Sequence, residues 1–129
     1  MAQYTSICSN CGGTEIGNYY QHLIKGDLLW SGHANCKSCG SNIEFDGVGD
    51  LPDELKPAIL AEEGEWQLVL DDQNDIVPAL HVLRQRKQVS LKDARAVLND
   101  LKDTKTTLAW IQDGLRQVKI NSTLVRCSS

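Results

Sequence analysis

Two hydrophobic periods divide this chain. Before about residue 46, apolar and aromatic positions fall in short runs of strand composition. Asn18-Tyr19-Tyr20-Gln21-His22-Leu23-Ile24 and Leu28-Leu29-Trp30-Ser31-Gly32-His33-Ala34 read as two strands joined by the turn signal Lys25-Gly26-Asp27, and Ile43-Glu44-Phe45 alternates as a third. From residue 65 the period lengthens. Trp66-Gln67-Leu68-Val69-Leu70 has the composition of a buried strand ended by Asp71-Asp72. Asp75 is then expected to cap a helix carrying Ile76, Ala79, Leu80 and Leu83 on one face, with Pro78 in the first turn, where a missing N–H does little harm. Ser90 and Asp93 make a capping-box-like start to a second helix with Leu91, Ala94, Val97, Leu98 and Leu101 at helical spacing. A third places Leu108, Ile111, Leu115 and Val118 together. Ile120 to Arg126 alternates as a closing strand, with Ile120, Ser122, Leu124 and Arg126 on one side. Strand, three helices, strand predicts a small α/β layer, and the β-rich first part makes the whole chain α+β.

Between these parts, Gly47-Val48-Gly49-Asp50-Leu51-Pro52 breaks the pattern and reads as a linker. A short helix is expected from Asp53 to Ala61, with Leu55, Ile59 and Leu60 on one face, before Glu62-Glu63-Gly64-Glu65 closes the connector. The predicted organisation is a module over 1–46, an acidic connector over 47–64 and a second domain over 65–129. From Asp50 to Asp75 there are nine acidic residues and one lysine, so this stretch should be solvated and should repel phosphate.

Cysteine spacing changes the picture of the first module. Cys8-Ser9-Asn10-Cys11-Gly12 and Cys36-Lys37-Ser38-Cys39-Gly40 are matched CxxCG knuckles separated by 24 residues. Two residues between thiolates let both sulfurs reach one ion, and the glycine supplies a turn that aims N–H groups at sulfur. Cys8, Cys11, Cys36 and Cys39 are therefore the expected ligands of a structural Zn2+, a closed four-sulfur site with no open position for water or substrate. Two rival readings are weaker. Disulfides need an oxidising compartment, and nothing before Cys8 resembles a signal peptide. A redox CxxC belongs at a helix start in a βαβ unit, whereas Gly12-Gly13 and Gly40-Ser41 look like knuckle turns. Knuckle, hairpin, knuckle, strand resembles the plan of a zinc ribbon. So small a module cannot fold on burial alone, and the ion is expected to supply its stability. Cys127 lies outside the frame and is expected to be a free thiol.

The remaining totals bound function more than fold. A chain of 129 residues with net charge −4, to which four thiolates around one dication add −2, does not suit a general nucleic-acid binder. No apolar run approaches the roughly 20 residues that cross a bilayer, and a cytoplasmic location is expected. No nucleophile–base pairing and no phosphate-cradling glycine loop can be assembled, so no enzymatic activity is expected. Among the three histidines, His33 lies three residues before Cys36 and is expected on the strand surface, with direct ligation the lesser alternative. Tyr19, Tyr20 and Trp30 could stack on bases or anchor a protein, or simply pack the hairpin.

The second domain carries a family resemblance. Glu65-Trp66-Gln67-Leu68-Val69-Leu70, then Ile76-Val77-Pro78-Ala79-Leu80-His81-Val82-Leu83-Arg84, then Ser90-Leu91-Lys92-Asp93-Ala94-Arg95-Ala96-Val97-Leu98, resembles the C-terminal domain of the bacterial ribosomal stalk protein. Leu91-Lys92-Asp93-Ala94-Arg95 is close to that family's Leu-Lys-Glu-Ala-Lys motif, and the third helix and last strand follow in the matching order. The resemblance covers roughly 65–126. It implies a face on the first two helices that recruits translation GTPases, at the matching positions Val77, Leu80, His81, Arg84 and Arg95. The chain departs from the family in three places. Gln88-Val89-Ser90 replaces a glycine-rich hinge, Ile76 replaces a basic residue, and the short Asp103-Thr104-Lys105-Thr106 connection leads one to expect the family's middle strand to be missing.

Arg84, Arg86, Lys87, Lys92 and Arg95 form a basic cluster with two readings. They are solvated helix ends complementing a helix C-terminus, or a positive patch for an acidic partner or RNA backbone. The expectation is a non-catalytic cytoplasmic protein-binding protein, an inhibitor or immunity protein masking a basic toxin or nuclease. The alternative is a translation-associated factor contacting a translation GTPase or ribosomal RNA. RNA is the less favoured partner, and neither a membrane nor a small-molecule substrate is expected.

Overall fold

The computed structural model describes residues 2–127 and shows a mixed α+β chain that divides into two compact units, Met1–Glu63 and Gly64–Ser129.

The first unit is an antiparallel meander of four strands, β1 (Ala2–Ile7), β2 (Thr14–Ile24), β3 (Asp27–Cys36) and β4 (Asn42–Val48), in that spatial order, followed by helix α1 (Lys56–Glu63). β2 and β3 are joined by a two-residue turn, Lys25-Gly26, with φ of 51° and 82°. Positive φ at both positions is the tight hairpin geometry whose twist matches that of the flanking strands. Side chains alternate across the sheet. Tyr19 points inward and is fully buried, while its neighbour Tyr20 points outward and is 46% exposed. On the inner face each large ring lies across a glycine in direct register with it: Tyr4 on Gly17, Phe45 on Gly32, and Trp30 on Gly47. A Cβ at Gly47 would stand 2.2 Å from the Trp30 ring, so only glycine lets the indole lie flat. These rings also meet each other edge-on or tilted, Tyr4 with Tyr19 at 5.5 Å and Trp30 with Phe45 at 6.1 Å between centroids. Ala2, Tyr19, Leu51 and Ile59 form the buried centre under this layer.

Two expectations are corrected here. β1 precedes the first strand expected from the sequence, the one at Asn18. It forms because Ala2 and Tyr4 add to the inner face while β-branched Thr5 and Ile7 suit the outer one. Of the stretch read as a connector, 47–64, all but Gly64 lies within the first unit. Gly47 and Val48 extend β4, Leu51 and Ile59 complete the buried layer, and α1 begins at Lys56 instead of Asp53. The Tyr19 hydroxyl donates to the Leu55 carbonyl, and Asp50 accepts both the Leu51 N–H and the Lys56 ammonium, at 3.0 and 3.1 Å.

The second unit is a three-stranded antiparallel sheet with three helices. Its elements are β5 (Trp66–Leu70), α2 (Ile76–Lys87), α3 (Leu91–Asn99), β6 (Lys102–Asp103), α4 (Lys105–Gln117) and β7 (Ser122–Arg126), and β5 is central between β6 and β7. The helical periods of the sequence account for most of the core: Leu80, Leu83, Ala94, Leu108, Ile111 and Leu115 are buried together, with Leu68 of β5 and with Leu101 and Ile120, which lie just past the ends of α3 and α4. Val118, expected on that face, caps α4 and is 53% exposed. The start of α2 also differs from expectation. Asp72, not Asp75, supplies the side-chain cap, accepting from the Asn74 N–H at 2.9 Å and opening a 3-10 turn that runs into α2. Ser90 does cap α3, accepting from the Asp93 N–H at 3.2 Å. The middle strand expected to be missing is present as two-residue β6. It is held by a buried group of contacts: Asp103 takes the Lys87 ammonium at 2.7 Å and the Thr104 N–H at 2.7 Å, while fully buried Thr104 caps α4 through the Thr107 N–H at 3.2 Å.

Candidate metal centre

The two knuckles are the turns β1→β2 and β3→β4, and the meander brings both to one end of the first sheet. Ile7 pairs with Thr14 to close the first, Asn35 with Asn42 to close the second, and Glu15 pairs with Cys36 to set one knuckle beside the other. Each knuckle has the same backbone wiring. The Gly12 N–H donates to the Cys8 carbonyl and the Gly40 N–H to the Cys36 carbonyl, both at 2.9 Å. Gly12 and Gly40 each have φ of 77°, a conformation that a side chain would strain even though open space surrounds the position.

The result is a cluster of four sulfurs, Cys8, Cys11, Cys36 and Cys39, all within 4.8 Å of one another. The Cys11–Cys36 and Cys8–Cys39 separations are 3.5 and 3.8 Å. These distances are far too long for a disulfide. They match the edge of a tetrahedron with metal–sulfur bonds of about 2.3 Å, which is about 3.8 Å. The four residues therefore fit a tetrahedral ion in spacing, number and donor type.

Electrostatics set Cys39 and Cys11 apart from each other. Cys39 is lowered to about 6, first by the Ser41 hydroxyl at 2.9 Å, then by the Ser41 backbone and by the Asn10 amide at 3.6 Å. At Cys11 the Gly13 N–H, 3.4 Å away, acts to lower the value, but the hydrogen-bonded sulfurs of Cys36, Cys39 and Cys8, with burial, outweigh it and push the thiol up to about 12. Neighbouring thiolates repel, so without a cation the cluster cannot ionise fully; a dication removes that conflict. Cys8 and Cys36 are buried, whereas Cys11 and Cys39 are exposed. In the metal-loaded chain, iodoacetamide followed by peptide mapping should label Cys11 and Cys39 before Cys8 and Cys36. Uniform labelling of all four would show that the cluster opens as a unit.

The buried carboxylate of Glu15 stands beside this end of the sheet, accepting from the Ser6 hydroxyl at 2.8 Å. Its charge adds to burial in raising the Tyr4 phenol. Sequence reading passed over Glu15, because nothing about an isolated glutamate announces that it will be buried. His33 is on the outer face of β3, opposite to that of Cys36, as an offset of three residues in a strand requires. Cys127 is partly buried and forms no disulfide; its N–H donates to the Glu65 carbonyl at 2.8 Å.

The residues suggested as a partner face separate in the structure. Val77, His81, Arg84 and Arg95 are exposed, but Leu80 is 2% exposed and belongs to the core, so it can support a surface but not present one. His81 and Arg84 line a shallow groove with Gln85, Gln88 and Val89. Arg95 lines a different groove, with Leu70, Ile76 and Leu98. The basic cluster is divided too. The Arg86 guanidinium lies 5.1 Å over the Trp110 ring and Lys87 pairs with Asp103, which leaves Arg84, Lys92 and Arg95 exposed.

No helix among the described residues is long and apolar enough to cross a membrane. No family model, curated protein or solved structure matches the chain.

Proposed function

We propose that this chain is a non-catalytic protein-binding protein, in which a zinc-ribbon-like unit held by Zn2+ accompanies a stalk-like α/β unit, and that it masks a basic protein such as a toxin or nuclease. The observation that carries the reading is the segregation of charge between the two units. The first holds nine carboxylates and three lysines, a net of −6, and the second eight carboxylates against ten lysines and arginines, a net of +2. Four thiolates around one dication would take the first unit to −8. A field of that sign steers a cationic partner and rejects phosphate. A closed four-sulfur site fits a scaffold role, since a filled tetrahedron offers no position for substrate. Four cysteine sulfurs in a tetrahedral frame are the donor set and geometry that suit zinc.

A second reading draws on the second unit. The order β5-α2-α3-β6-α4-β7, with a middle strand after all, supports the likeness to the ribosomal stalk C-terminal domain and hence a role beside a translation GTPase. Fold does not carry function with it, and burial of Leu80 removes one residue from the implied contact face. A pull-down from cell extract with the metal-loaded chain separates the two. Recovery of a single basic protein is expected. Recovery of ribosomes or elongation factors would replace the first reading with the second.

A further inference from the structure

The sheet of the first unit has one face covered by the aromatic layer and one open. On the open face, cross-strand register sets Asn18, His33 and Glu44 in one row and Tyr20, Ser31 and Asp46 in the next. Neighbouring strands are about 4.8 Å apart, so Tyr20 and Asp46 stand on either side of Ser31. The short Ser31 side chain leaves a trough of about 450 Å3, walled by Tyr20, His33, Glu44 and Asp46. His22 leans on the Tyr20 ring at 5.2 Å between centroids and steadies that wall.

Glu44 and Asp46 are exposed, and neither carboxylate has a hydrogen-bond or ion-pair partner among the described residues. Their neighbours across the strand are His33 and Ser31, not lysine or arginine. Opposite charge across a strand pair is the usual stabilising arrangement, so two unpaired carboxylates facing an aromatic wall across β3 offer a cation both negative charge and a π face. A metal ion does not answer it. Among the described residues the four cysteines are the one group whose ligand atoms converge on a single point.

We infer that this trough is the docking site for an arginine-bearing segment of a basic partner protein, an inference that rests on the proposed masking of such a partner. A guanidinium lies over the Tyr20 ring and directs its planar donors toward Glu44 and Asp46. Arginine suits the site better than lysine because it stacks on an aromatic face and bonds carboxylates through a fixed fork. RNA is disfavoured, although Tyr20 could stack a base, because both carboxylates repel the phosphates that supply RNA affinity.

The test uses the metal-loaded full chain labelled with nitrogen-15 and titrated with a nona-arginine peptide, with nona-lysine and a short pyrimidine RNA as comparisons. Amide shifts should centre on Tyr20, Ser31, His33, Glu44 and Asp46. The paired substitution E44Q/D46N should weaken nona-arginine by roughly tenfold, and Tyr20→Leu should weaken nona-arginine more than nona-lysine. All three side chains are on the open face, and unchanged amide spectra elsewhere verify that the variants fold. Shifts centred on the acids of 50–63 would overturn the trough while leaving the basic-partner reading intact. No peptide binding at any position would overturn both. RNA seated in the trough would overturn the choice of occupant.

Discussion

Chelating the metal from the loaded chain is expected to unfold Met1–Glu63 and leave Gly64–Ser129 folded. The first unit has a thin interior. Its buried apolar side chains besides the cysteines are Ala2, Tyr19, Leu28, Ala34, Leu51 and Ile59, with the remaining inner-face rings only partly covered. The ion would join the first and last turns of the meander through four bonds, tying the β1–β2 turn to the β3–β4 turn. Structural zinc contributes about 10–16 kcal/mol in comparable small sites, as much as or more than the total stability of an ordinary domain, about 5–15 kcal/mol. Loss of the ion also restores repulsion among four crowded sulfurs, the conflict visible in a Cys11 thiol pushed up to about 12. Amide spectra should lose the dispersed signals of β1–β4 while those of β5–β7 persist, and Cys36→Ser should reproduce the effect. A first unit that stays folded without metal would show that its glycine-seated aromatic layer suffices.

The second large effect belongs to the other unit. Leu108→Ala should lower its unfolding free energy by about 2–5 kcal/mol. Leu108 is fully buried in the first turns of α4, in the same cluster as Leu80, Leu83, Ile111 and Leu115. The cavity cannot collapse easily, because α4 is pinned at its start by the buried Thr104 and Thr107 hydroxyls, 2.9 Å apart. Val125→Ala on β7, at a side chain 48% exposed, should change stability by no more than about 0.5 kcal/mol. Chemical denaturation of both variants measures the contrast, and equal effects would mean that α4 is not central to the core.

Much of this was legible in the chain because it depends on local spacing. CxxCG puts two sulfurs within reach of one ion whatever surrounds them, and a helical period from Ile76 to Leu115 names the core residues of α2–α4 almost one by one. Tyr19 and Tyr20, grouped together from the sequence, face opposite ways in β2, as neighbours in a strand do. What escaped were pairings between distant segments. β1 and β6 exist because a partner strand satisfies their backbone groups, and two residues of β6 carry no periodicity at all. A GVGDLP stretch reads as a linker because its glycines suggest freedom, yet Gly47 is needed where the Trp30 ring crosses the strand.

The sequence by itself therefore determined the two cysteine knuckles that form the four-sulfur cluster, most of the helix faces and the α+β class, all of them consequences of periods and spacings a few residues long. Only the tertiary structure decided that Arg86 and Lys87 are committed to Trp110 and Asp103, and that Tyr20, Glu44 and Asp46 share one open face. Those outcomes follow from strand register and helix packing, in which residues tens of positions apart become neighbours. No local pattern encodes such a meeting.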